Sequence, residues 1–228
     1  MKVILLAGGS GERLKSLTKT ISKPMMPING RPVISYLLEQ LSGHDVIVIT
    51  KNVFVEQYEP LQTQYDFTII GESEQRGTGG ALDLMRDEIS ETFCVSNADE
   101  IKRIDMDALK KFHLERGGVV TFPVKYLKDS TDYGFVEFSE DSMCVTKFTE
   151  KVGSEPGWVS VGGPYMCEPD IFAHIPENTK SSLEVDVFPS LAAKKLVYAY
   201  VYDGPFHTID DPKRYQDTQD SLPPKINL

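Results

Sequence analysis

Four short apolar runs in the first hundred residues are the feature that most restricts the fold of this chain. They lie at Val3–Leu6, Asp45–Thr50, Phe67–Ile70 and Phe93–Ser96. An apolar run without alternation predicts a strand that is buried on both faces. Helical patterns separate the runs, and strands that alternate with helices favour a mostly parallel sheet with helices on both faces.

The helices and the later strands complete the expected order of elements. Helices are predicted at 32–41, 53–61, 78–85 and 106–116, and the last is ended by Gly117-Gly118. After Gly118 strands are predicted at 119–124, 134–138, 145–148, 159–166 and 196–202, with a helix at about 185–195. We interpret this second part as further strands on the same sheet and a small β layer that covers the substrate.

Charge and cysteine content exclude several classes of protein. The 228 residues carry a net charge of −10, which disfavours a nucleic-acid-binding surface and favours small-molecule partners. The three cysteines form no Cys-x-x-Cys pair and are expected to be free thiols in a reducing compartment.

No signal peptide and no apolar stretch of the ~20 residues that span a membrane is present, so a cytoplasmic location is expected. Homo-oligomer formation is left open.

A glycine-rich segment follows the first apolar run directly. It reads Leu6-Ala7-Gly8-Gly9-Ser10-Gly11-Glu12-Arg13-Leu14. Glycines at the end of a buried strand let the backbone approach a ligand and direct N–H groups at phosphates, to which Arg13 can add a charged fork. The segment does not match the dinucleotide fingerprint, because Leu14 stands where the third glycine belongs, and no Gly-Lys-Ser/Thr of an ATPase phosphate loop follows.

A second segment, Ser22-Lys23-Pro24-Met25-Met26-Pro27, holds one lysine between stiffening prolines. A lysine held near a phosphate-binding loop suits a pyrophosphate leaving group. For this segment alone, a solvated lysine in a proline-rich loop is the simpler interpretation.

Taken together, the two segments resemble the sugar-1-phosphate nucleotidylyltransferases. Their signature LAGGxGxRLxxLTxxxxKPMxPxxGxP is matched almost throughout from Leu6 to Pro32. Further segments follow in the family's order, namely Glu74–Ala81, Asn97-Ala98-Asp99, Tyr133-Gly134, Glu150-Lys151, Gly162–Tyr165 and Glu184–Pro189. The short length resembles a compact branch that includes heptose-1-phosphate and mannose-1-phosphate guanylyltransferases.

The resemblance implies a fold, a reaction and a set of site residues. The fold is a Rossmann-like three-layer α/β/α nucleotidyltransferase domain over 1–228, with a nucleotide-binding half at 1–117 and a sugar-phosphate-binding half at 118–220. The reaction joins an NTP, with GTP favoured, to a sugar 1-phosphate and releases pyrophosphate, with Mg²⁺ as cofactor. The implied catalytic residues are Arg13, Lys23 and Asp99. The implied nucleotide-binding residues are Leu6, Ala7, Gly8, Gly9, Gly11, Glu74, Gly77 and Thr78. The implied sugar-phosphate-binding residues are Tyr133, Gly134, Glu150, Lys151, Gly163 and Glu184.

The chain departs from the family pattern at the second metal ligand. Where the family carries [WF]-x-D-[IV]-G-T-P, this chain reads Phe206-His207-Thr208-Ile209-Asp210-Asp211-Pro212, which puts Thr208 at the aspartate position. Because alternate side chains of a strand share a face, Asp210 is expected to supply the missing carboxylate beside Asp99, with water as the alternative. Two further functions stay open: a non-catalytic nucleotide-sugar-binding or regulatory protein, and a cytidylyltransferase for a non-sugar alcohol phosphate.

Overall fold

The structure is a computed structural model that describes residues 1–9, 11–14, 20–150, 153 and 155–222, with the side chain of Glu12 excepted. The chain divides into two compact units. The first, here called the N-terminal unit, comprises Lys2–Gln75, Asn97–Arg103 and Gly204–Leu228. The second, the central unit, comprises Arg76–Ser96 and Ile104–Asp203 together with Met1. The two units are defined by contacts between residues and not by ligand binding. The division into functional halves at 1–117 and 118–220 therefore stays a prediction.

The elements are numbered in chain order. The strands are β1 (Lys2–Leu6), β2 (Pro27–Ile28), β3 (Arg31–Pro32), β4 (Asp45–Lys51), β5 (Thr68–Glu72), β6 (Phe93–Asn97), β7 (Glu100–Lys102), β8 (Val120–Leu127), β9 (Gly134–Phe138), β10 (Val145–Glu150), β11 (Gly157–Ser160), β12 (Tyr165–Cys167), β13 (Val197–Val201) and β14 (Phe206–Thr208). The helices are α1 (Val33–Gln40), α2 (Val55–Tyr58), α3 (Gly77–Asp83), α4 (Met106–Arg116), α5 (Phe188–Ala193) and α6 (Pro212–Ser221). Single 3-10 turns include Glu12–Leu14 and Lys23–Met25, and a π-helical turn covers Leu183–Val187.

The N-terminal unit is built on a parallel sheet in the order β1-β4-β5. Val3 lies opposite Val46, and Val48 lies opposite Ile69. The interior of β1 and β4 is almost completely buried, which is the reason that their sequences are continuously apolar. The predicted parallel arrangement of these strands is therefore confirmed.

A two-stranded antiparallel ribbon of β7 and β14 adds to this unit, with Phe206 opposite Lys102 and Thr208 opposite Glu100. One apolar cluster joins the ribbon to α1 and to the segment around Met26. Its buried members are Leu14, Met26, Ile28, Val33, Tyr36, Ile101, Ile209 and Leu222. The cluster thus holds together chain segments that are far apart in sequence.

The central unit contains strands in the order β10-β9-β11-β8-β12-β6, with β13 beside β8. The β8–β13 pair is parallel, whereas the pairs between β8, β9, β10, β11, β12 and β6 are antiparallel. The antiparallel neighbours β9 and β10 are joined by a short connection, whereas the parallel pair β8–β13 needs a longer crossover. The fold is mixed α/β, as predicted, and within the described residues every helix is too short or too polar to span a bilayer.

Local signals explain where prediction and structure agree or differ. Helix α4 begins at the side-chain cap of Asp105 and ends at Gly117, which has a φ of 68°. The predicted strand 159–166 is instead two strands, β11 and β12, because Gly162 and Gly163, with φ angles of 70° and 95°, interrupt it. The predicted helix 53–61 is divided into α2 and flanking 3-10 turns.

We expect Ile209→Ala to lower the free energy of unfolding by about 2–5 kcal/mol, because a fully buried side chain of the apolar cluster is removed. Urea denaturation measures the change. The control is Val53→Ala in the same unit, whose side chain is 79% exposed and whose stability should change by no more than about 0.5 kcal/mol. Equal effects of the two substitutions would contradict the assignment of the cluster as the core of this unit.

Candidate active site

Three charged side chains predicted from the sequence meet in the N-terminal unit. The Nζ atom of Lys23 donates hydrogen bonds to Oδ2 of Asp99 at 2.5 Å and to Oδ1 of Asp210 at 2.6 Å. The Lys23 side chain is only 9% exposed, whereas the two aspartates are 23% and 25% exposed. A buried ammonium thus faces two carboxylates that solvent still reaches.

The β7–β14 ribbon explains why the two aspartates meet. Asp99 immediately precedes β7 and Asp210 follows β14 by two residues. Because Glu100 lies opposite Thr208 in the antiparallel register, both aspartates extend from the same end of the ribbon. The backbone N–H of Ala98 donates to the carbonyl of Leu6 at 3.1 Å, which places Asp99 next to the carboxyl end of β1, as the α/β ligand rule predicts.

The backbone before Lys23 is fixed by α2. The N–H of Ser22 donates to Oε1 of Gln57 at 2.9 Å, and the Ser22 hydroxyl shares a hydrogen bond of 2.6 Å with the hydroxyl of Tyr58. Tyr58 is fully buried, and burial raises its pKa to about 12. The phenol therefore stays neutral at physiological pH and serves as a permanent anchor for the lysine segment.

The charges of this cluster stabilise one another. Burial alone would lower the pKa of Lys23, but the carboxylates of Asp99 and Asp210 more than reverse this and hold the pKa above its ordinary value. Burial alone would raise the pKa of Asp210, but Lys23, and after it Arg13 and Arg214, hold that pKa below its ordinary value. Lys23 and Asp210 are therefore both charged at neutral pH.

Two arginines add positive charge around Asp210. Arg13 lies exposed in the 3-10 turn after the glycines, and Arg214 donates from Nη1 to Oδ2 of Asp210 at 3.3 Å. Asp211 caps α6 by accepting from the N–H groups of Lys213 and Arg214, which fixes the first turn that carries Arg214. Sequence reasoning missed Arg214, although its spacing of four residues from Asp210 was a usable signal.

A buried ion pair next to Asp99 was also missed. Lys102 donates from Nζ to Oε2 of Glu100, and the Lys102 side chain is 1% exposed. Burial, opposed by the charge of Lys102, raises the pKa of Glu100 to about 7. No sequence pattern distinguishes this pair from two surface charges, because its burial depends on the packing of β7 against the rest of the unit.

The glycines after β1 have different surroundings. A Cβ atom at Gly8 would lie 2.1 Å from Oε1 of Glu72, the buried last residue of β5, so that Gly8 makes room for this carboxylate. At Gly9 no described atom lies within 4 Å of the corresponding position, and Gly11 has a φ of 57°. The backbone at Gly9 is therefore open to a ligand, and Ser10 lies outside the described residues.

The donor set suits a divalent cation that arrives with a phosphate ligand. Oxygens of Asp99 and Asp210 already converge on one cationic atom, and Mg²⁺ is commonly held by one or two carboxylates with substrate phosphates and water. Within the described residues no group of three or more acidic, histidine or cysteine side chains forms a complete metal site. The residues present therefore fit Mg²⁺ if phosphate oxygens complete its coordination.

The expected geometry of Asp210 is wrong in one respect. A continuing strand would put Thr208 and Asp210 on one face, but β14 ends at Thr208 and the chain turns before α6. Thr208 is 5% exposed, and its carbonyl accepts from the Thr218 hydroxyl at 2.9 Å. The Asp210 carboxylate reaches Lys23 from the turn after the strand.

The glycine-rich segment of the central unit contacts a loop before α5. The carbonyl of Ser181 accepts from the N–H groups of Gly79 and Gly80, and a Cβ atom at Gly77 would lie 2.4 Å from that carbonyl. The Thr78 hydroxyl donates to Oε2 of Glu184 at 2.6 Å and accepts from the N–H of Leu183. These glycines therefore have a packing role in addition to the nucleotide-binding role that the sequence predicts for Gly77 and Thr78.

The remaining predicted residues are distributed over both units. In the central unit Gly134 lies opposite Glu150 at the paired ends of β9 and β10, and Tyr133 immediately precedes them. Gly163, with a φ of 95°, packs closely against the backbone of Ser96. In the N-terminal unit Glu74 is exposed. Lys151 lies outside the described residues.

Comparison with known proteins identifies relatives over most of the chain. A family model described as nucleotidyl transferase matches residues 2–206. Mannose-1-phosphate guanylyltransferase 1 of Arabidopsis thaliana is 31% identical over 94% of this chain, which spans 63% of that relative's length. The crystal structure of HddC from Yersinia pseudotuberculosis has a TM-score of 0.80 and 26% identity, covers 96% of this chain and 98% of its own, and has also been solved with GMP-PN. UDP-glucose pyrophosphorylase from Acinetobacter baumanii, at 19% identity and a TM-score of 0.78 over 96% of this chain and 91% of its own, shares the fold.

A substitution at Gly77 would destabilise the protein in two ways, through its positive φ angle and through a contact with Ser181, and a comparison with Gly117 separates the two. Gly77 and Gly117 have similar φ angles of 74° and 68°, but only at Gly77 would a Cβ atom meet the Ser181 backbone. We expect Gly117→Ala to cost about 1–2 kcal/mol for the left-handed conformation, and Gly77→Ala at least about 1 kcal/mol more for the forced contact. Chemical denaturation compares the two variants, and an equal loss would show that the contact is not tight.

Proposed function

The chain belongs to the nucleotidyl transferase family, and we propose that it transfers a nucleotidyl group from an NTP to a sugar 1-phosphate, giving an NDP-sugar and pyrophosphate. The observation that carries this proposal is the convergence of Lys23, Asp99 and Asp210. The charge of Arg13 also acts on the Asp210 carboxylate. The open backbone at Gly9, in the loop that precedes Arg13, supports it further.

The chemistry needs alignment and charge neutralisation more than proton transfer. The attacking phosphate oxygen of a sugar 1-phosphate is already anionic, so no general base is required. Lys23 and Arg13 would neutralise the triphosphate and the departing pyrophosphate. The N–H groups of Gly8, Gly9 and Gly11 would orient the phosphates, and Leu6 and Ala7 would contact the nucleotide.

Asp99 and Asp210 would hold Mg²⁺, which would supply positive charge to neutralise the phosphates. In this proposal Asp210 replaces the carboxylate that Thr208 lacks. The contact of Asp210 with the same lysine atom as Asp99 supports that assignment.

The substrates are proposed from chemistry and from the relatives. Guanine is favoured, because the similar proteins include mannose-1-phosphate guanylyltransferases and a structure with GMP-PN. Mannose 1-phosphate and heptose 1-phosphate are the favoured acceptors. In this proposal the nucleotide base is contacted by Glu74, Gly77 and Thr78. The sugar phosphate is bound by Tyr133, Gly134, Glu150, Lys151, Gly163 and Glu184.

A pyrophosphate-release assay with Mg²⁺ tests the reaction. Four NTPs are combined with mannose, heptose and glucose 1-phosphates and with choline phosphate, and we expect the highest kcat/KM for GTP with mannose 1-phosphate or heptose 1-phosphate. Turnover with CTP and choline phosphate alone would favour a cytidylyltransferase. Binding of nucleotide sugar by the folded protein without turnover for any pair would favour a non-catalytic regulatory protein.

The two carboxylates are tested by isosteric variants. We expect Asp99→Asn and Asp210→Asn each to lower kcat by on the order of 10²-fold or more, the effect of losing a preorganised charge. Thr208→Val keeps the shape of the buried side chain and is the matched control, with kcat expected close to wild type. If Thr208→Val reduces kcat as strongly as Asp210→Asn, the assignment of Asp210 as the second carboxylate is wrong.

A further inference from the structure

We propose that the Lys23 ammonium takes the place of the metal ion between Asp99 and Asp210 until nucleotide binds, so that Mg²⁺ enters together with the triphosphate. The inference rests on the proposed function for the identity of the metal and the nucleotide. Its own basis is a contact in the structure: one nitrogen lies 2.5 Å from one carboxylate and 2.6 Å from the other.

The two carboxylates need a cation in the free protein. Each has an oxygen in contact with the same atom, and both side chains are three-quarters buried. Like charges this close repel one another, and the repulsion is stronger where water is partly excluded. Lys23 supplies the compensating charge from within the chain, and it does so without the loss of translational entropy that binding a free ion requires.

Charge balance explains why the metal ion alone is a poor competitor. The cationic side chains of Lys23, Arg13 and Arg214 act on Asp210. Asp99 is the other carboxylate in contact with Lys23, and Arg214 also pairs with Asp211 at 3.6 Å. The neighbouring Glu100 is already in contact with its own cation, Lys102. A divalent ion would therefore add two positive charges to a cluster in which the cationic side chains already compensate the aspartates. The triphosphate removes this excess, because it brings negative charge and further metal ligands at the same time.

The geometry permits the exchange without refolding. The backbone at Ser22 is anchored to Gln57 and Tyr58, whereas the lysine side chain has a flexible four-carbon stem. Lys23 can then leave the carboxylates and turn its ammonium to a phosphate oxygen while its backbone stays in place. The same side chain would thus close the metal position in the free protein and bind the leaving group in the complex.

Metal binding in the absence of nucleotide tests the inference directly. Mn²⁺ is titrated as the probe and followed by electron paramagnetic resonance, with no nucleotide and no turnover. We expect wild type to bind Mn²⁺ weakly and Lys23→Met to bind it ~10-fold or more tightly, a factor within the usual range for linked binding events. Lys147→Met, which removes an exposed lysine paired with Glu137, should match wild type. In Lys23→Met/Asp210→Asn the gain should disappear.

Equal Mn²⁺ affinities of wild type and Lys23→Met, or tight binding by wild type without nucleotide, would overturn the inference. If Lys23→Met does not fold, Lys23→Gln is used, and the wild-type titration remains decisive by itself. The outcome is independent of the pyrophosphate assay. Turnover with unchanged Mn²⁺ affinity would leave the proposed function standing, and a gain in Mn²⁺ affinity without turnover for any substrate pair would leave the lysine exchange standing.

Discussion

The contact of one lysine nitrogen with two carboxylates is the interaction on which the candidate site depends. Lys23 is separated from Asp99 by 76 residues and from Asp210 by 187 residues, and the three side chains meet within hydrogen-bonding distance. Each charge compensates for the burial of the others, since the carboxylates raise the pKa of Lys23 and Lys23 lowers that of Asp210.

Apolar packing positions these charges. Leu14, Met26, Ile101 and Ile209 belong to one buried cluster, and each lies within three residues of a charged side chain of the site. The hydrophobic effect thus fixes the backbone, and the ion pairs fix only the side-chain ends. This division suits a site that exchanges cations, because the charged groups can rearrange while the apolar cluster stays intact.

Glycines that look alike in sequence have different physical roles. At Gly9 the absence of a side chain leaves open space among the described atoms, as a phosphate-binding loop requires. At Gly77 and Gly79 the same absence lets the chain approach Ser181 and bond to its carbonyl. A glycine motif by itself therefore predicts that another group comes close to the backbone. Only the structure shows whether that group is another part of the protein or whether the space is open to a ligand.

The sequence by itself determined the strands β1, β4, β5 and β6 and helix α4, and it named Lys23 and Asp99 as candidate site residues. Buried strands, helix caps and glycine turns are specified by residues that are close in sequence. They can therefore be recognised from short stretches of the chain. Only the tertiary structure decided that β14 ends before Asp210 and that Glu100 and Lys102 form a buried pair. Each of these depends on the pairing of β7 with β14, more than a hundred residues away. Contacts over such a separation are set by the packing of the whole unit and leave no periodic signal in the chain.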